Sequence, residues 1–129
     1  VSWTKSAQPD TSYECFQKYL RMVFTYAGTA SMDTEAEPIA LSDIQVGDVF
    51  LKGGHPGHVV MIVDLCENAS GKKAFLLAQG YMPAQQFHVL KNPAHEDDPW
   101  YYEDEVTYPF HTPEYTFDEG SLKALDYLK

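Results

Sequence analysis

The chain has 129 residues, 44% hydrophobic and 22% charged, the size and composition of one globular domain with a core of its own. Its formal net charge of −10 excludes a nucleic-acid groove, which needs a basic surface. It contains no unbroken apolar run of about 18 residues, the minimum for a membrane-crossing helix.

The charge is uneven. Residues 1–93 carry nine acids and seven bases, whereas residues 94–129 carry ten acids against Lys123 and Lys129. Trp100, Tyr101, Tyr102, Tyr108, Phe110, Tyr115 and Phe117 run through the acidic part, so its composition is not that of a disordered tail. Aromatics at this density either pack on the domain beneath a solvated acidic face or bind a ligand. Cys15 and Cys66 are too few for a disulfide scaffold and lack zinc-site spacing. The chain opens at Val1 with no initiator Met or signal peptide, as a processed product or a fragment would.

The first predicted element is a helix over residues 12–27. Thr11-Ser12-Tyr13-Glu14 has the form of a capping box, with Thr11 and Glu14 exchanging bonds to each other's amides. Tyr13, Phe16, Leu20, Val23, Phe24 and Ala27 recur on one face, and Gly28 suits a left-handed helix stop. Cys15, Tyr19, Met22 and Tyr26 make a second side apolar, which predicts burial on two faces. Residues 30–46 read as a polar connector.

The period then changes. Residues 47–51 read as a short strand, and residues 52–57 as a turn with three glycines. His58 to Leu65 is apolar on both faces and reads as the central strand. Residues 74–79 and 86–90 follow as further strands. The expected class is α+β, an N-terminal helix packed on a small antiparallel meander sheet in one domain.

No Gly-x-Ser-x-Gly, phosphate-cradling glycine loop or His-Glu-x-x-His occurs, so no cofactor is expected. His55, His88, His95 and His111 share no spacing, so no metal site is expected. What remains is a layout. Cys15 lies in the first turn of the helix, where the macrodipole favours a thiolate. His58 opens the central strand, and Gln79 ends the next, where its amide oxygen can accept a ring N–H and fix the imidazole tautomer. Cysteine, histidine and polar orienter, in that order, is the chain order of papain-like hydrolases. Each residue also has a plainer reading: Cys15 as an inert core thiol, His58 as a turn partner, Gln79 as a backbone partner. Tyr81 and the Met82-Pro83-Ala84 segment would form a neighbouring wall.

Residues 47–64 and 75–85, with 16–31, 99–101 and 112–117, closely resemble the uncharacterised family Domain of unknown function 4846, gut-bacterial proteins taken to be secreted. The resemblance covers nearly the whole chain and implies an extracytoplasmic location and a longer upstream part of the same protein. Two departures stand out, Gly80 where the family has serine and Tyr115 where it has tryptophan. More weakly, Gly47 to Val63 is similar to the Gly-Asp strand, glycine-rich turn and His-opened strand of NlpC and CHAP cell-wall cysteine peptidases. That similarity implies His58 as general base, Gln79 as orienter and a helix-starting cysteine as nucleophile, either Cys15 or one further upstream.

Three functions follow as expectations. One is a papain-like hydrolase, or a degenerate relative, acting on peptide or amide bonds of cell-wall material, with Cys15, His58 and Gln79 catalytic and Tyr81, Trp100 and Tyr101 contacting substrate. Another is a non-catalytic module that binds glycan or peptide through the face around Trp100, Tyr101 and Tyr102. The third is a structural domain of a secreted protein.

Overall fold

Side-chain alternation along one strand sets the layers of the molecule. The computed structural model describes residues 8–26, 28–54, 56–81 and 85–125, the side chains of Phe24, Tyr26, Tyr81 and Gln85 excepted. Its elements are α1 (Tyr13–Tyr26), α2 (Thr29–Glu35), β1 (Glu37–Pro38), β2 (Val49–Lys52), β3 (His58–Glu67), β4 (Lys73–Tyr81), β5 (Gln85–Val89), β6 (Tyr101–Tyr102), β7 (Phe110–His111), β8 (Thr116–Phe117) and β9 (Leu122–Ala124). On β3, His58, Val60 and Ile62 are buried on one face, while Val59, Met61 and Val63 are half-buried on the other.

Strands β2 to β5 form the expected antiparallel meander. The sheet is wider than the sequence suggests. Its order is β1-β9-β2-β3-β4-β5, with β6 pairing β4, and β7 and β8 form a separate ribbon. β9 is inserted between β1 and β2, so residues 122–124 of the acidic C-terminal part belong to the sheet itself. Pro38 is accommodated because β1 stands at the sheet edge, where a missing N–H costs little.

The two faces have different covers. The main core gathers Phe50, Val60, Ile62, Phe75 and Leu77 from the sheet under Tyr101, Phe110 and Phe117 from the C-terminal part. Phe50 is fully buried, with ring centroids of Phe110 and Phe117 at 4.6 and 6.0 Å. Burying one such ring stabilises the fold by about 1.5–3 kcal/mol, so inward aromatics hold an otherwise acidic, solvated segment in place. A smaller cluster on the other face joins Val49, Leu51 and Leu125 to Ala36, with Met32 of α2 packed against it.

The helical layer therefore differs from the expectation. The helix seated on the sheet is α2, Thr29–Glu35, most of which lies in the stretch 30–46 that reads as a connector. α1 forms at the predicted place, but none of its described residues is buried, and Tyr13, Phe16 and Tyr19 are exposed. Its start lies one residue later than the capping box implies. The Ser12 hydroxyl, not Thr11, accepts the N–H of Cys15 at 3.2 Å. Gly28 is not a left-handed stop either; it is extended, with φ −156° and ψ 174°, and caps α2 while exchanging hydrogen bonds with the Ser31 hydroxyl.

Candidate functional site

β3 and β4 bring His58 and Gln79 to one face of the sheet. Alternation places His58 with Val60 and Ile62, and Gln79 with Leu77 and Phe75, all on the main-core side. Met61 pairs with Ala78, so the start of β3 lies beside the end of β4. The His58 Nε2 and Gln79 Oε1 atoms stand 2.6 Å apart. Gln79 is 1% exposed and His58 8%, so both polar groups need partners inside the protein.

A third residue completes the chain of bonds. The Gln79 amide Nε2 donates to the carboxylate of Glu114, in the connection between β7 and β8. Nothing in the local sequence signals Glu114, because 35 residues separate it from Gln79. The same connection lays Tyr115 against His58, ring centroids 4.8 Å apart, with Phe117 behind at 6.1 Å. Lys52, the cross-strand partner of His58, holds its ammonium 5.6 Å from the Tyr115 ring centroid. The imidazole is thus covered by aromatic rings and 8% exposed.

That turn is shaped by α2. A Cβ on Gly57, the residue before His58, would stand 2.0 Å from the Thr29 hydroxyl and 2.8 Å from the carbonyl oxygens of Lys52 and Gly54. Only glycine permits this approach, and it fixes where β3 begins.

The other candidates fall elsewhere. Cys15 is half-buried in the first turn of α1, where its backbone N–H donates to the Ser12 hydroxyl at 3.2 Å. Tyr101 is 3% exposed, its ring stacked on Phe75 and its hydroxyl donating to the Lys91 carbonyl at 2.7 Å. Burial pushes that hydroxyl well above the ordinary tyrosine value. Trp100 is half-buried, so Trp100 and Tyr101 do not form one open aromatic surface. The Tyr81 side chain, His55 and Met82-Pro83-Ala84 lie outside the described residues.

A separate groove of about 420 Å³ opens beside β6 and β7, lined by Asn92, Tyr102, Glu105, Thr107, Pro109 and His111 among others. At its rim His95 and Glu105 pair at 2.6 Å, and this bond holds the imidazole above its ordinary pKa. The Tyr102 hydroxyl donates to Asp98 at 2.5 Å and holds that carboxyl below its ordinary value. Among the described residues no group of three or more His, Cys, Asp or Glu is placed to hold a metal ion, and no helix is long and apolar enough to cross a membrane.

No curated protein and no solved structure matches the chain, so neither comparison supports the similarity to NlpC and CHAP peptidases expected from Gly47 to Val63. One family model does match, over residues 1–124, and by it the chain belongs to the family described as Domain of unknown function (4846).

Proposed function

We propose that His58 is the general acid–base group of a hydrolase acting on peptide or amide bonds, with cell-wall peptides as the substrate class and a location outside the cytoplasm. The observation that carries this reading is the buried His58–Gln79 pair. A carboxamide oxygen 2.6 Å from Nε2 can hold the imidazole in one orientation, the part a polar orienter plays beside a general acid–base histidine. In such a reaction His58 takes the proton of the attacking thiol or water and returns it to the leaving amine as the C–N bond breaks. With a thiol, the acyl group passes to sulfur, and water then releases it as the acid.

The His58–Gln79 pair supports the acid–base half of the reaction, and the nucleophile stays unassigned between Cys15 and a cysteine further upstream. The test is incubation of the folded protein with cell-wall stem peptides, new amine and carboxyl ends being followed by mass spectrometry. Cleavage by the wild type that His58→Gln abolishes supports the reading. Absence of cleavage across the peptide series, or full cleavage by the variant, refutes it.

The groove beside β6 and β7 favours a second reading, a glycan- or peptide-binding module. Its lining mixes an aromatic ring, a carboxylate and an imidazole around a volume that suits a small ligand. Peptide or glycan binding that Tyr102→Ala removes and His58→Gln leaves intact would favour it over hydrolysis.

A further inference from the structure

We infer that Glu114 is a positioning residue that selects the proton-transferring nitrogen of His58 by fixing the Gln79 carboxamide. A carboxylate only accepts hydrogen bonds, so the Gln79 group facing Glu114 must be its NH₂. The amide is planar, and its oxygen therefore faces His58. An amide oxygen also only accepts, so His58 carries a proton on Nε2. In the neutral ring the lone pair then lies on Nδ1.

Without a hydrogen-bond acceptor at position 114 this order is lost. The Gln79 amide can rotate by half a turn and offer its NH₂ to the imidazole, which then accepts on Nε2 and carries its proton on Nδ1. The two tautomers present opposite chemistry to any group at Nδ1, one accepting a proton and the other donating one. Glu114 reaches Gln79 from the ribbon that also supplies Tyr115 and Phe117, so seating this ribbon covers the imidazole and sets its tautomer together.

This inference gives Nδ1 its use only under the acid–base reading above, but the tautomer itself is measurable without substrate. The test is long-range ¹H–¹⁵N correlation of the His58 ring in the whole protein, above the pH at which the ring becomes neutral. The wild type should show the unprotonated, downfield nitrogen at Nδ1 and the protonated one at Nε2. Glu114→Ala should move part or all of the population to the Nδ1–H form. Glu114→Gln, whose own oxygen can still accept from Gln79, should restore the wild-type pattern. A wild-type ring protonated on Nδ1 overturns the inference whatever the variants do. So does an unchanged tautomer in a folded Glu114→Ala. Failure to cleave any peptide with these tautomers observed would refute the hydrolase alone.

Discussion

Lys52 and His58 face each other across the β2–β3 pair, and the Lys52 ammonium lies over Tyr115, the ring that packs on His58. Sheet and ribbon are thus joined on both sides of the imidazole, by this cation–ring contact and by the Gln79–Glu114 bond. Tyr115→Leu should uncover His58 and raise its rate of modification by diethyl pyrocarbonate several-fold. Loss of the ring contacts should cost about 1 kcal/mol of stability. An unchanged modification rate in the folded variant would mean that the ribbon does not shield the ring.

Position 57, immediately before His58, should tolerate no side chain. Gly57→Ala forces a methyl group against the Thr29 hydroxyl and two backbone carbonyls. A stability loss of about 1–3 kcal/mol is expected, together with shifted His58 ring resonances. Thr29→Ala in the same chain should not restore either, because the carbonyls of Lys52 and Gly54 remain in the way. Gly80→Ser is the contrasting case. Among the described residues, chain neighbours aside, the atom nearest to a Cβ there is the Phe87 backbone nitrogen at 4.0 Å, so the melting temperature should barely move.

The His95–Glu105 pair should give stability a local pH dependence. The hydrogen bond to Glu105 raises His95 above its reference value of 6.5, so the native state holds this proton more tightly than the unfolded chain. The contribution is complete below pH 6.5 and is lost as pH rises through the raised native value. His95→Gln should flatten thermal stability between about pH 6 and 8 relative to the wild type. Parallel profiles for the two proteins would refute this assignment.

Cys66 is exposed near the end of β3 and far along the sheet from His58. Among the described residues no helix start or site residue is placed to activate it, so it should alkylate no faster than an unstructured thiol, and Cys66→Ser should leave any turnover intact. Rapid alkylation at mildly acid pH would move the search for a nucleophile to this cysteine.

The parts of the fold that local periodicity encodes were readable in the sequence, and the parts that distant pairing decides were not. The apolar run from His58 to Leu65 and the tight turns around it announce the meander, and strand adjacency then brings His58 to Gln79. β9 is three residues long and takes its place between β1 and β2 through partners more than 70 residues away, a relation without local pattern. α2 is too short to show a helical repeat, and its seating rests on contacts with distant residues: Met32 on the Val49–Leu51 cluster, Asp33 with Lys123 and Thr29 with Gly54. The apolar sides of α1 misled for the opposite reason. A strong amphipathic pattern predicts a helix reliably but does not say whether this domain covers it. Glu114 was hidden because a carboxylate in an acidic, turn-rich segment looks like any other solvated charge.

Burial of His58 changes how its role must be tested. Removing the ring by His58→Ala strands the buried Gln79 oxygen at a cost of about 1–3 kcal/mol, so lost activity in that variant would not separate chemistry from structure. His58→Gln retains a donor for Gln79 but transfers no proton. The decisive measurement is therefore turnover of a cleaved cell-wall peptide by His58→Gln and wild type, at a temperature where melting curves show both fully folded. The account predicts a loss of about 10²-fold or more in kcat with the fold intact. Equal turnover by the two folded proteins would contradict it.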